Sequence, residues 1–271
     1  MAYSEKMSSS NPGLIIILID QSYSMNDPYG SNGEAKKDLA AKAVNRVIFE
    51  IMEASADGEK YKDRVYIMLV GYGLKTGDLE IILNGFISEI SNKIIRTEKI
   101  KRKVSDGAGG LVEIEEEFPI WVEPKAEYGT PMDLAFKEAY KTIETWCNAN
   151  SNSFPPLVIN ITDGEPNDFQ NTEYEANKIT SLSTNDGNVL LLNAHIADGN
   201  KESIKLPNDV SHLSDPLAKF LFDISSILPD PLVDEAKKVG FNVKEGARGM
   251  VYNADADILI RLLNFGSSVA R

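Results

Sequence analysis

The sequence predicts an α/β fold: a doubly wound, mostly parallel central sheet flanked by helices, with one inserted β-hairpin. Leu14–Ile19 is a continuous apolar run rich in β-branched residues, as a strand buried on both faces must be. Amphipathic stretches at helical spacing alternate with further short apolar runs, and that alternation builds crossover units around a parallel sheet. The 271 residues are 42% hydrophobic and 25% charged, a globular composition that supplies one large core. We therefore expect a flexible N-terminus over 1–13 and a single domain over 14–271.

Each element follows from its pattern. The first strand ends abruptly at Asp20. Between Glu34 and Ala56 the positions Leu39, Ala43, Val47, Ile51 and Ala54 recur at helical spacing, and Asp57-Gly58 closes the segment. Val65–Val70 reads as a strand, Pro131–Trp146 as a helix, Leu157–Ile161 as a strand and Glu173–Leu182 as a helix. Asn188–Ala194 follows as a strand, Leu217–Ile227 and Leu232–Val239 as helices, Gly249–Tyr252 as a strand and Asp255–Leu263 as a last helix. One stretch breaks the alternation: Lys99–Val104 and Leu111–Phe118 flank a turn at Ser105–Gly110 and read as an antiparallel hairpin over 99–118. Lys99, Lys101, Arg102 and Lys103 on one arm oppose Glu113, Glu115, Glu116 and Glu117 on the other, so the hairpin reads as a charge-paired, solvated decoration at the sheet edge.

Composition removes several function classes. Lys+Arg of 28 against Asp+Glu of 41 gives a net charge of −13, which lacks the positive footprint that collects phosphate backbones and excludes nucleic acid as a partner. With one cysteine, Cys147, and the histidines His195 and His212, a Cys/His zinc cage cannot be assembled. A lone thiol fits a reducing, cytoplasmic setting. The run Leu14–Ile19 is too short for a signal-peptide core or a membrane span, so no membrane partner is expected. Asn160-Ile161-Thr162 spells a glycosylation site, but it lies within a strand that should be buried.

In an open parallel sheet, ligands collect beyond the carboxyl ends of the strands, near the point where strand order reverses. The first strand runs into Asp20-Gln21-Ser22-Tyr23-Ser24, the strand at Leu157–Ile161 runs into Thr162-Asp163-Gly164, and Gly129-Thr130-Pro131 precedes a helix. Asp20, Ser22, Ser24, Thr130 and Asp163 form an all-oxygen donor set of the kind that a hard divalent cation accepts. The i, i+2, i+4 spacing of Asp20, Ser22 and Ser24 brings three side chains to one side of a tight loop, whereas a helix spreads i and i+2 by roughly 200°. Taken singly, each residue also reads as an ordinary turn or cap; the five in order on one sheet edge point to a metal.

This pattern, Asp20-x-Ser22-x-Ser24 followed by Thr130 and Asp163, is similar to the metal-ion-dependent adhesion site of von Willebrand factor A domains. The resemblance runs from Leu14 to about Gly266, because the strand–helix alternation also follows that family's Rossmann-like topology. It implies a bound Mg2+ or Mn2+ contacted by the hydroxyls of Ser22, Ser24 and Thr130, with Asp20 and Asp163 acting largely through waters. It implies an interaction module and not an enzyme, in which an Asp or Glu of a partner protein completes the coordination. Within the family the chain looks most like compact bacterial intracellular members of the tellurium-resistance type, on Phe154-Pro155-Pro156-Leu157, Asp186-Gly187-Asn188 and Arg248-Gly249-Met250-Val251-Tyr252-Asn253. The partner so implied is a kinase, phosphatase or ATPase, and the charged hairpin departs from that pattern.

Remaining motifs carry less. Asn253-Ala254-Asp255-Ala256-Asp257 opens like a calcium loop but lacks the Gly and the distant Glu, so it reads as a helix N-terminus. The glycine-rich Gly71–Gly77 fits neither phosphate-binding pattern. The alternative function is a metal-dependent hydrolase acting on a phosphoester, which requires a general base at the metal, from His195 or His212. Tyr23, Tyr29, Tyr128 and Phe169 lie in the site loops and are candidates for apolar contacts around a clamp.

Overall fold

Among the residues described by the computed structural model, 3–29, 33–75, 78–105, 110–196 and 202–267, seven strands form the central sheet. They are β1 (Gly13–Asp20), β2 (Val65–Leu74), β3 (Asp78–Phe86), β6 (Leu157–Thr162), β7 (Leu190–Ile196), β8 (Ile204–Lys205) and β9 (Met250–Ala254), while β4 (Arg96–Ser105) and β5 (Leu111–Ile120) make a separate ribbon. The sheet order is β8-β9-β7-β6-β1-β2-β3. The pairs from β9 to β2 are parallel, and the edge strands β3 and β8 run antiparallel. Strand order reverses at β1, which lies between β2 and β6, so the loops after β1 and β6 flank the switch point.

The helices are α1 (Lys36–Ser55), α2 (Ile87–Ile90), α3 (Met132–Ala149), α4 (Phe169–Ser181), α5 (Pro216–Ile224), α6 (Asp230–Lys238) and α7 (Ala256–Ser267). Alternation along β1 divides the core in two. Ile15, Ile17 and Ile19 pack with Val44, Val47 and Ile51 of α1 and Leu259 and Leu262 of α7. Leu14, Ile16 and Leu18 pack with Phe136 and Ala139 of α3, Ile179 of α4 and Leu221 of α5. Burying a side chain of this size contributes about 1.5–3 kcal/mol, so β1 alone is a large share of what holds the sheet. A chain of buried amides and hydroxyls crosses the second layer. Tyr72 donates to Asn160 Oδ1 (2.9 Å), Asn160 to Asn193 Oδ1 (3.0 Å), Asn193 to Ser225 Oγ (2.9 Å), and Ser225 to the Leu221 carbonyl (2.6 Å).

Three features differ most from the sequence expectation, beyond shifts of element ends such as α5 stopping at Ile224 and not at Ile227. First, β2 continues past Val70 to Leu74, through Gly71 and Gly73. A Cβ at Gly71 would lie 2.1 Å from Gln21 Oε1, and one at Gly73, where φ is +101°, would lie 2.6 Å from the Gly129 carbonyl oxygen. These glycines do not break the strand; they let the loops beyond β1 and β5 lie against it. Thr76 and Gly77 lie outside the described residues. Second, β3, α2 and the two-residue edge strand β8 went unpredicted; the half-exposed edge strand Asp78–Phe86 lacks clean alternation and pairs with β2 through register shifts.

Third, the hairpin is not part of the sheet edge. Its register opposes Lys99 to Glu117, Lys101 to Glu115 and Lys103 to Glu113, as the charges implied, and its turn at Asp106–Gly109 lies outside the described residues. Its base docks on α1, where Phe118 meets Phe49 at a ring separation of 5.2 Å. Asn45 Oδ1 accepts from the amides of Trp121 and Val122 (2.8 and 3.1 Å), which anchors the chain as it leaves β5. The segment before β1 carries more contacts than its polar composition implies. Asp186 accepts from the amides of Ser4 and Glu5 (2.9 and 3.0 Å), and Met7 is buried. Among the described residues, no helix is long and apolar enough to cross a membrane.

Candidate metal centre

Asp20 ends β1 with 1% of its surface exposed. Its Oδ1 accepts from the Ser22 amide (2.8 Å) and its Oδ2 from the Thr162 hydroxyl (2.7 Å). Burial pushes its carboxyl up to about 6; the hydrogen bonds from Ser22 and Thr162 oppose that rise, and the nearby Asp163 adds to it. The chain then enters a 3-10 turn over Tyr23–Asn26, held against the loop before α3: Tyr23 donates its amide to the Tyr128 carbonyl (2.8 Å), and Glu127 its amide to that of Gln21 (2.7 Å). The turn sets Ser22 Oγ and Ser24 Oγ 3.1 Å apart. Ser24 donates to Asp163 Oδ1 at 2.7 Å.

Thr130 is fixed by Asn167, whose side-chain oxygen accepts the Thr130 amide (3.0 Å) and whose own amide donates to the Thr130 carbonyl (2.9 Å). A Cβ placed on Gly164 would lie 3.7 Å from Ser24 Oγ and 4.0 Å from Thr130 Oγ1, so both hydroxyls border the space over Gly164. The five sequence-selected residues thus gather at one place: Asp20, Ser22, Ser24 and Asp163 through hydrogen bonds, Thr130 through its shared neighbour. Ser22 and Thr130 are buried in this pit and do not project from a surface loop.

Sequence reasoning missed three contributors. Thr162 and Asn167 hold Asp20 and Thr130 in place, and nothing in their local pattern separates them from ordinary strand-end and loop residues. Lys36, the first residue of α1, sets its Nζ 3.1 Å from Asp163 Oδ2, with the two side chains 6% and 0% exposed. A signal existed for it: α1 opens on Lys36-Lys37, where acids are favoured at the positive end of the helix dipole.

Among the described residues, no three His, Cys, Asp or Glu side chains group to hold a metal ion. The donor set here is two carboxylates and three hydroxyls. Both oxygens of each carboxylate already accept protein hydrogen bonds, while hydroxyl oxygens retain lone pairs. That chemistry fits a small hard cation that keeps several waters and takes few protein ligands.

The other candidates separate clearly. His195, next to the last residue of β7, stacks on Tyr252 (4.1 Å, 11°) and lines a cleft of about 220 Å3 with Lys36, Asp163, Gly164 and Asp215. His212 lines a different cavity, of about 930 Å3, with Lys205 and Asp215. Asp255 accepts from the Ile258 amide (2.8 Å) and caps α7, as the helix reading of 253–257 expected. Tyr23 and Tyr128 are 69% exposed beside the site and Phe169 is partly exposed, whereas Tyr29 packs on the core. Cys147 is buried and free, and burial raises its thiol to about 11, which makes it a poor nucleophile.

A mostly parallel sheet with antiparallel edges, helices on both faces and a loop cluster at the switch point make a Rossmann-like, doubly wound α/β fold. The pilus adhesin SpaC from Lactobacillus rhamnosus GG is similar, with a TM-score of 0.53 and 13% identity over 98% of this chain and 31% of SpaC. Manganese-loaded TRAP protein of Plasmodium vivax also matches (TM-score 0.42, 17% identity, 97% of this chain and 75% of that one). So does the vWF domain of the type V pili tip protein Mfa5 from Porphyromonas gingivalis (TM-score 0.30, 16% identity, 57% of this chain and 38% of that one). The chain spans about a third of the SpaC length, and at these identities the likeness is one of fold. No protein-family model matches the chain, and no curated protein matches it.

Proposed function

We propose that this chain is a metal-dependent protein-interaction module. Mg2+ or Mn2+ is held by the hydroxyls of Ser22, Ser24 and Thr130, with Asp20 and Asp163 orienting those groups and the metal's waters. The observation that carries this reading is the gathering of three hydroxyls and two buried carboxylates beside the switch point. Neutral hydroxyl ligands leave the cation's charge under-compensated, so an Asp or Glu from a partner protein is a favoured further ligand. The net charge of −13 does not forbid an acidic partner, since screening over a Debye length of roughly 8 Å leaves the local metal charge to decide. Exposed Tyr23, Tyr128 and Phe169 supply apolar contact around the clamp.

No bond is made or broken in this reading. A buried free thiol suits the cytoplasm, and resemblance to tellurium-resistance-type proteins favours a kinase, phosphatase or ATPase as the partner. The test is Mn2+ binding by calorimetry and electron paramagnetic resonance, followed by partner capture with and without EDTA. Wild type binds Mn2+ saturably, Thr130→Ala binds it weakly or not at all, and the captured partner is lost in both the variant and EDTA. Equal Mn2+ binding by Thr130→Ala overturns the assignment.

A second reading, a phosphoester hydrolase, draws on His195 lining the cleft beside Asp163. It requires metal-dependent turnover of a generic phosphoester that His195→Ala abolishes.

A further inference from the structure

Lys36 stands where neither its helix nor its burial favours it. A cation in the first turn opposes the helix dipole, and lysine is seldom so deeply buried unless it is paired. What it meets is one of the two site carboxylates: Nζ lies 3.1 Å from Asp163 Oδ2, while Ser24 holds Oδ1 at 2.7 Å. Asp20, the second carboxylate, is buried close by, held by the Ser22 amide (2.8 Å) and the Thr162 hydroxyl (2.7 Å), so Lys36 stands beside two acidic side chains. The backbone position is fixed as well, since the Lys36 amide donates to the Asp27 carbonyl (3.1 Å) at the end of the serine-bearing turn.

Resting on the metal reading above, we infer that Lys36 is a built-in counter-cation that competes with the metal. Without metal, its ammonium balances Asp163 and keeps the loops assembled. With metal, it opposes the incoming charge and weakens binding, so that the carboxylate of a partner is needed for full occupancy. The cleft that Lys36 lines also carries Glu165 and Asp215, which offer the ammonium acceptors as it withdraws from Asp163. Lys36 is thus a residue that sets metal affinity, and not a ligand.

The experiment measures Mn2+ affinity by calorimetry on the full chain as wild type, Lys36→Met, Lys36→Gln and Lys36→Arg, with thermal unfolding in EDTA and in saturating Mn2+. Removing the buried like charge that sits 3.1 Å from Asp163 Oδ2 should tighten Mn2+ binding about tenfold or more in Lys36→Met. Lys36→Gln, which keeps a hydrogen-bond donor but no charge, should do the same and stands in if Lys36→Met does not fold. Lys36→Arg should stay near wild type. In EDTA the neutral variants should melt below wild type, and saturating Mn2+ should remove the difference. Unchanged or weaker Mn2+ binding in the neutral variants, with wild type binding saturably, overturns this inference alone. No saturable binding in wild type or in any Lys36 variant overturns the metal reading, and this inference with it.

Discussion

Two regions of this molecule pair lysines with acids, and they do it in opposite surroundings. In the ribbon of β4 and β5 the pairs stand in water: Lys101 and Glu113 approach to 2.9 Å with 66% and 50% of their side chains exposed. At the sheet's carboxyl edge, Lys36 and Asp163 meet at 3.1 Å with almost no exposure. Solvent screens the first kind to a median of about 0–1 kcal/mol. Breaking the second kind costs several times more, because the charge left behind has lost its water as well as its partner. The ribbon's many charges therefore confer solubility and register, while one buried pair holds the site.

Four substitutions test that contrast. The largest effect belongs to Asp163→Ala, which takes the carboxylate from beneath the Lys36 ammonium; we expect a loss of about 3–5 kcal/mol by chemical denaturation in EDTA. Next is Gly73→Ala, whose methyl would sit 2.6 Å from the Gly129 carbonyl oxygen and 2.7 Å from the Ser22 amide at φ +101°. It should cost about 2 kcal/mol and impair Mn2+ binding, because strain there displaces both serine and threonine loops.

Tyr252→Phe probes an intermediate setting. The Tyr252 hydroxyl donates to Asp215 Oδ2 at 2.7 Å and is the main reason this half-buried carboxyl titrates below its usual value of 3.8. A carboxyl with a lowered folded-state pKa adds stability above the unfolded value and loses it as pH falls through the folded one. Wild type should therefore exceed Tyr252→Phe by about 1 kcal/mol at pH 7, and the gap should close as acid protonates Asp215 in both proteins. The smallest effect is Lys101→Ala, expected within about 0.5 kcal/mol and insensitive to EDTA. A Lys101 effect as large as that of Asp163→Ala would erase the distinction between the two regions.

What could be read from the sequence follows the same division between local and assembled features. β1, α1 and the oxygen-rich loops carry their own signals, in an unbroken apolar run, a helical period and hydroxyls spaced at i, i+2. β3 does not, because an edge strand is exposed on part of both faces and its alternation blurs. The ribbon's cross-strand charges were legible, but its seat on α1 depends on Phe49 and Asn45, which look like ordinary helix residues. Thr162, Asn167 and Lys36 act at the site only because folding brings them to Asp20, Thr130 and Asp163 across at least 37 residues of chain. The paired lysines opening α1 were a visible anomaly, but their partner was not.

The buried chain from Tyr72 through Asn160 and Asn193 to Ser225 bears on how the sheet aligns. Strands that are apolar on both faces, such as β1, β6 and β7, tolerate sliding past one another as far as hydropathy is concerned. The amides do not: Asn160 lies level with Asn193, and a shift by one residue would set an amide against leucine and leave its donors without acceptors. A few polar atoms in an otherwise greasy layer thus act as registration pins. By fixing β6 against β7 they also fix where β6 ends, and so the height at which Asp163 meets the serines of the neighbouring loop.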